Sequence, residues 1–496
     1  MTRTAIIGGG PSGLVAARYL KAHGAEPIVF EQSGRIGGQW AAGAAHSGVW
    51  AGMRTNTSRV LSRFSDLAHS PGVPVYPSAA QMEIYLQRYA EEFDLSPHVS
   101  LKSAVRTLAR DPAGGWRLEG GSPNGDWSET FERVVVASGR YNKPKRPEVA
   151  GLDSFPGHVG HAFDYEWDRE AYRGVVLVVG SSISALEIAG DLAMTGADRV
   201  VSSARRQRYV LQKMIAGKPT DHLAFNRFAA LAATALPMEA QAAALKAFVV
   251  GGCGSPEQFG AFAPADNVFE AGFTQAQHYL PLVAEGRIIP RPDIERIEGR
   301  VVHFKDGSHE EPDAILFGTG YELNLPFLSP EVAASLDLDA DHMDLFAHTF
   351  HPALEGVAFL GQFAQIGPYL PVLELQARWV AYRWAGLAPA PTAEAVSEGL
   401  ATCRAGRGGS QEAPMHAYAS LFAHLAGVEP DTGQWPTLKR ALLFGPLSPA
   451  SYRLSGPDAA PEAVGWLEKD AAAFQVIDAP DFTDMELAQL GAVGHA

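Results

Sequence analysis

Apolar residues fall along this chain in short unbroken runs, several of them followed by glycine or other small residues and then by helical spacing. Thr4-Ala5-Ile6-Ile7, Pro27-Ile28-Val29-Phe30, Val134-Val135-Val136, Val175-Val176-Leu177-Val178-Val179 and Ala314-Ile315-Leu316-Phe317 are the clearest. Runs this short with no polar alternation read as parallel strands buried on both faces. Residues 14–20 and 186–192 carry helical spacing behind the first and fourth runs. The pattern predicts an α/β fold built around two strand–turn–helix units. Alanine-rich stretches at 229–235 and 240–250, broken by Gly251-Gly252-Cys253-Gly254-Ser255-Pro256, predict helices outside those units. Val301-Val302-His303-Phe304-Lys305 with a turn at Asp306-Gly307 predicts a hairpin.

The first turn is Gly8-Gly9-Gly10-Pro11-Ser12-Gly13, a G-x-G-x-x-G between strand and helix. Gly8 permits the tight turn, Gly10 lets backbone approach a pyrophosphate, and Gly13 lets helix and strand pack closely. The helix N-terminus then offers amide donors to the phosphates. The second strand ends at Glu31, where such a site places its acceptor for a ribose hydroxyl. Gly37-Gly38-Gln39-Trp40 follows, and E-x-x-x-x-x-G-G-x-W is the pattern of FAD-binding flavoproteins with two nucleotide sites. Gly38, Gln39 and Trp40 are therefore expected at the flavin nucleotide.

The second turn, Gly180-Ser181-Ser182-Ile183-Ser184-Ala185, keeps only the first glycine, with Ser182 and Ala185 in the other two places. The strand after its helix, Arg199-Val200-Val201-Ser202-Ser203, ends without an acid and runs into Ala204-Arg205-Arg206. An acid there would repel a 2′-phosphate, whereas arginine pairs with it. NADPH is expected at Gly180, Ser181 and Ser182, with Arg205 and then Arg206 on the phosphate. Two such sites imply electron transfer from a pyridine nucleotide to a flavin.

Composition narrows this picture. With 46% hydrophobic residues the chain is an ordinary globular protein, and its net charge of −15 opposes nonspecific binding to nucleic acid or an anionic membrane. Cys253 and Cys403 suit neither a disulfide framework nor a redox-active pair, which disfavours a disulfide reductase. No signal-peptide pattern is seen at the start, and no run approaches the ~20 apolar residues of a membrane span. A cytoplasmic protein is expected. His342, His348 and His351 cluster without a metal-binding motif, so they are read as solvated loop histidines and no metal site is expected.

Phe155-Pro156-Gly157-His158-Val159-Gly160-His161-Ala162-Phe163-Asp164-Tyr165 has the form F-x-G-x-x-x-H-x-x-x-Y just ahead of the second turn. Flanked by both glycine turns, it resembles the identifying sequence of the flavin-containing monooxygenases, in their soluble bacterial form. Met53-Arg54-Thr55-Asn56-Thr57, Phe64-Ser65-Asp66, Thr319-Gly320-Tyr321 and Glu374-Leu375-Gln376-Ala377-Arg378-Trp379 resemble further segments of that family. The resemblance implies two interleaved Rossmann-like domains. The FAD domain spans 1–150 and 326–496. The NADPH domain is inserted at 151–325, and the alanine-rich stretches of about 211–290 are read as a helical insertion in it, expected to cover part of the active site. It also implies that NADPH reduces FAD, that oxygen adds at flavin C4a, and that the hydroperoxide oxygenates an amine nitrogen or sulfide sulfur of a small molecule. Asn56 matches the asparagine that supports that adduct, and a homodimer is common in the family. Two alternatives stay open: Baeyer–Villiger oxidation of a ketone, against which Tyr165 stands in place of the usual tryptophan, and a non-oxygenating NADPH oxidase or redox sensor. Phe363 and Tyr369 are read as pocket walls or core aromatics, and His161 and Phe155 as ordering the linker.

Overall fold

The computed structural model describes residues 2–494 other than Trp167. Both glycine turns sit in five-stranded, all-parallel sheets of matching order. In the first sheet the order is Val357–Phe359, Arg133–Val136, Thr2–Ile7, Ala25–Phe30, Val99–Ser100. In the second it is His158–His161, Ala314–Phe317, Val175–Val179, Arg199–Ser203, Ile288–Arg291. Central strands such as 134–136 and 176–178 are buried on both faces, as their unbroken apolar runs require. Each sheet carries a three-stranded antiparallel meander, Ala104–Phe131 in the first unit and Ile294–Glu310 in the second. The predicted hairpin at 301–310 is the latter's second half.

The chain leaves the first sheet after Val136 and returns to it at Val357, so the second sheet is threaded through the first unit. The two crossings lie side by side. Lys143–Pro144 pairs antiparallel with Tyr321–Glu322, Lys145 N donates to the Gly320 carbonyl at 3.0 Å, and the rings of Tyr141 and Tyr321 meet at 5.6 Å.

The alanine-rich stretches form helices Arg227–Ala235 and Met238–Cys253. The second runs through Gly251 and Gly252, which the sequence pattern reads as a break. A Cβ on Gly252 would stand 2.7 Å from Ile215 Cδ1, so this glycine permits close packing, and the turn waits for Gly254 at φ +77°. Two other features of 211–290 differ from the expected helical insertion. Its last residues belong to the edge strand of the second sheet. Its helix Arg227–Ala235 docks on the C-terminal region, where Arg227 Nε meets Glu429 at 2.6 Å and Nη2 donates to Ser451 Oγ at 2.9 Å.

Helix Leu370–Ala385, almost wholly buried, packs on helix Pro11–Ala22 behind the first glycine turn. Glu374 there accepts from Ser65 N at 2.7 Å and from Tyr19 Oη at 2.6 Å. Arg18 holds Asp66 at 2.8 Å. Segments far apart in sequence thus close on the helix behind the first glycine turn. No helix among the described residues is long and apolar enough to cross a membrane.

Candidate active site

The first glycine turn is as tight as its motif demands. A Cβ on Gly13 would lie 1.9 Å from the Gly8 carbonyl oxygen, and one on Gly8, at φ +111°, would meet Ala137 O at 2.5 Å. The Gly37-Gly38 turn is stitched to it by Gly37 N donating to Gly9 O at 2.9 Å. Gly10 and Gly38 face each other so closely that a Cβ on Gly38 would stand 2.9 Å from Gly10 Cα. Glu31, 3% exposed, accepts from Gly9 N at 2.8 Å and Ser33 N at 2.7 Å. A carboxylate has about four lone-pair sites, so two bonds leave capacity for a ribose hydroxyl. Gln39 gives its carbonyl to Ser47 Oγ at 2.5 Å, and Trp40 packs in the core with Leu14 and Val15.

Several buried polar atoms at the carboxyl ends of this sheet have no partner. Ser138 Oγ follows strand Arg133–Val136, and both side-chain polar atoms of Gln362 follow strand Val357–Phe359. An unpaired buried polar group is costly, and in open α/β sheets ligands bind at this edge. The orphaned atoms and the glycine cradle together fit a bound dinucleotide.

Asn56 belongs to the same group. Its Oδ1 is buried without a partner, and its side chain makes no hydrogen bond among the described residues. The loop around it is firmly held. Thr55 N donates to Pro77 O at 2.9 Å, Ala79 N to Met53 O at 3.1 Å, and Thr55 Oγ1 to Thr57 O at 2.8 Å. Two braces come from a distant segment. Ser58 N donates to Asp221 Oδ2 at 2.7 Å, and Ser58 Oγ lies 2.9 Å from His222 Nε2. Burial pushes the Asp221 carboxyl up to about 6 and the His222 imidazole down to about 4. Nothing in the spacing of the sequence marks Asp221 or His222 for this place.

In the second unit Gly180 again turns at positive φ, +131°. Ala185 takes the third glycine place because Gly318 yields the room: a Cβ on Gly318 would stand 2.6 Å from that of Ala185. Gly180 and Ser181 open onto a narrow cleft lined also by Ala204, Gln207, Phe262, Tyr279 and Arg291. Ser182 is the N-cap of helix Ile183–Thr195, with no side-chain cap bond. Arg205 and Arg206 stand exposed next to this cleft. Arg205 makes no ion pair or hydrogen bond among the described residues, whereas Arg206 donates to the Glu270 carbonyl at 2.9 Å. Phe262 and Tyr279 come from outside any motif.

A family profile described as flavin-binding monooxygenase-like matches residues 1–465. The chain belongs to the flavin-binding monooxygenase-like family. Members so described are FAD-dependent oxidoreductases that use NADPH, and this chain is such an enzyme. A 4-hydroxybenzoate brominase (decarboxylating) from Marinomonas mediterranea is 28% identical over 486 residues, covering 92% of this chain and 90% of that protein. Flavin-containing monooxygenase 3 of Homo sapiens is 27% identical over 487 residues, covering 93% and 90%. Among solved structures, the S-allyl-L-cysteine S-oxygenase of Allium sativum superposes with a TM-score of 0.65 at 22% identity, covering 99% of this chain and 97% of that one. NADP⁺-bound cyclohexanone monooxygenase from Rhodococcus sp. Phi1 gives 0.64 at 15% identity, covering 86% and 97%.

The identifying segment of the family packs mainly within the second unit, and its His161 meets the crossing at Tyr321. Phe155 packs under the second sheet with Leu177 and Ile315. His161 is fully buried, stacks edge-on to Tyr321 at 5.3 Å and is held neutral down to about pH 4 by burial. Tyr165 Oη donates to Asp191 Oδ2 at 2.7 Å. Phe363 is buried and lies parallel to Tyr369 at 6.3 Å, with Tyr369 Oη bonded to Tyr141 Oη at 2.8 Å. The three histidines read as solvated are not. His342 and His351 are buried and His348 is mostly so, because the 336–351 segment folds back under helix Ala393–Ala405 and the core instead of standing out as a loop.

Proposed function

We propose that this family member oxygenates a soft nucleophile, an amine nitrogen or a sulfide sulfur, of a small organic molecule. Bound FAD, reduced by NADPH, supplies the activation of oxygen. On this reading residues 1–150 and 326–496 form the FAD unit and 151–325 the NADPH unit. Gly8, Gly10 and Gly13 cradle the FAD pyrophosphate, Glu31 takes the ribose, and the Gly38-Gln39-Trp40 turn closes over it. Gly180, Ser181 and Ser182 receive NADPH, with Arg205 on its 2′-phosphate and Arg206 behind it.

The observation that carries the reading is Asn56, an unsatisfied carboxamide on a loop that is itself fully braced. On this reading the donor is the Asn56 Nδ2 amide, which makes no other bond among the described residues, and a donor held in place stabilises charge on oxygen without reorganising at the moment of reaction. No acid–base pair is required of the protein for this chemistry. Stopped-flow mixing of NADPH-reduced enzyme with oxygenated buffer, without substrate, tests this directly. A long-lived absorbance distinct from oxidised flavin, decaying faster when an amine or sulfide is added, is expected. Immediate return of oxidised flavin with hydrogen peroxide release would instead mean an oxidase or sensor. An ester from a ketone would mean Baeyer–Villiger chemistry.

Asn56→Ala is expected to keep FAD and its reduction by NADPH while raising peroxide released per NADPH several-fold, in line with ~1 kcal/mol for one lost hydrogen bond. Unchanged coupling would remove Asn56 from the mechanism. Arg205→Ala is expected to lower the NADPH-over-NADH ratio of kcat/KM by about 10–100-fold, the range for ~1.5–3 kcal/mol of charge-assisted bonding. Arg206→Ala, already committed to Glu270, should do less. An unchanged ratio in Arg205→Ala would assign the phosphate elsewhere.

A further inference from the structure

His342, Asp344 and Cys403 bring one imidazole nitrogen, one carboxylate oxygen and one sulfur within 4.8 Å of one another. His342 is 5% and Asp344 2% exposed, and Cys403 is half-buried on helix Ala393–Ala405. His342 Nε2 stands 3.3 Å from Asp344 Oδ1 and 3.6 Å from Cys403 Sγ. Those two separations match the nitrogen–oxygen and nitrogen–sulfur edges of a tetrahedron whose centre lies about 2.0–2.1 Å from nitrogen and oxygen and about 2.3 Å from sulfur, the bond lengths of zinc.

The hydrogen bonds around His342 aim it at such a centre. Gln411 Nε2 donates to the Gly406 carbonyl at 2.8 Å and the Gly409 carbonyl at 3.2 Å, which turns Gln411 Oε1 toward His342 Nδ1 at 2.9 Å. Nδ1 therefore carries the proton and Nε2 is the nitrogen that faces Asp344 and Cys403. A bare Nε2 lone pair against a carboxylate oxygen is repulsive unless a cation lies between them. Either a second proton on the ring or a metal ion satisfies that geometry, and the sulfur at tetrahedral distance favours the metal. Histidine ligands commonly have their other nitrogen held by just such an acceptor.

Two guanidiniums share the site and must be counted. Arg404 Nε lies 2.6 Å from Asp344 Oδ2, and Arg407 Nη2 lies 3.1 Å from Oδ1. Arg407 also pairs with Asp337 at 3.0 Å and with Asp339. Three carboxylates against two arginines leave one negative charge, and a cysteine thiolate makes it two. One divalent cation neutralises the set.

We propose that His342, Asp344 and Cys403 bind one structural zinc ion, with water reaching the fourth position beside the half-buried sulfur. Thiolate and imidazole together select zinc over magnesium or calcium. The ion clips the 337–345 segment to helix Ala393–Ala405. That segment also receives Arg140 of the first crossing through the Asp341 carbonyl at 2.9 Å.

The test is independent of flavin chemistry. FAD-loaded enzyme is incubated with zinc, desalted and assayed for metal by mass spectrometry. One equivalent per chain is expected, with Tm raised by about 2–4 °C relative to chelator-treated protein. Cys403→Ser and His342→Gln should each lose the zinc and the shift. Because either variant could fold poorly, cobalt(II) is added to the wild type, where red d–d bands of a tetrahedral thiolate site, clear of oxidised flavin absorption, are expected. No retained zinc and no tetrahedral cobalt spectrum would overturn the proposal and leave an imidazolium–carboxylate pair. Zinc kept by both folded variants would place the metal elsewhere and overturn it equally.

Discussion

Gly13→Ala is expected to yield protein largely free of flavin and destabilised by about 3 kcal/mol. The new methyl carbon would sit 1.9 Å from the Gly8 carbonyl oxygen, so either the helix or the turn must move. Moving the turn opens the cradle, because Gly8 is itself pressed against Ala137 and Gly9 is bonded to Glu31. The corresponding position in the second unit behaves differently. Ala185 already carries a methyl group there, and Gly318 has given way to it. Ala185→Gly should therefore cost only about 1 kcal/mol, the ordinary helical penalty of glycine. The flavin-to-protein absorbance ratio and Tm of the two variants decide the matter. A Gly13→Ala enzyme that stays yellow and melts with the wild type would show that this turn is looser than its geometry states.

Stability should fall steeply on mild acidification. Burial holds His69, His161, His222, His348 and His416 down at about 4, against 6.5 for a free imidazole. Between these values the unfolded chain takes up protons that the native protein refuses. The stability these histidines confer is thus complete above pH 6.5 and is lost as pH falls toward 4. Asp66 and Asp221, raised to about 6 mainly by burial, act in the opposite sense because the native state binds their protons first. Five groups outweigh two. The expected loss is on the order of 2–3 kcal/mol per pH unit between pH 6.5 and 5, after allowance for solvent around the less buried rings. Urea midpoints measured across about pH 7.5 to 5.5 check it. A flat midpoint would mean that these histidines protonate within the fold.

Much of the nucleotide-binding scaffold is legible in the sequence because it depends on local rules. A buried parallel strand needs a continuous apolar run, and a turn at positive φ needs glycine, so Gly8 and Gly180 announce themselves. What is hidden depends on partners far away in the chain. Ser58 meets Asp221 across 163 residues and Ser65 meets Glu374 across 309. No periodicity records either pairing. Glycine also misleads when it serves packing instead of turning, as Gly252 does inside helix Met238–Cys253. The histidines near 342–351 look alike in sequence. They part company in the fold, where His342 joins Asp344 and Cys403 while His348 lies edge-on to Tyr418. The basic turn of Arg205 and Arg206 is legible, but the aromatic walls of the neighbouring cleft, Phe262 and Tyr279, are set by tertiary packing alone.

The threaded unit is fastened to the rest of the molecule at several separated places. One is the paired ribbon of Lys143–Pro144 and Tyr321–Glu322, another is the clasp of Arg227 on Glu429 and Ser451, and others are the Ser58 contacts with Asp221 and His222 and the bond from Ala51 N to Glu166 Oε2 at 3.0 Å. Fixings spread this widely resist sliding, twisting and swinging alike, so parting the two units means breaking several distant contacts at once.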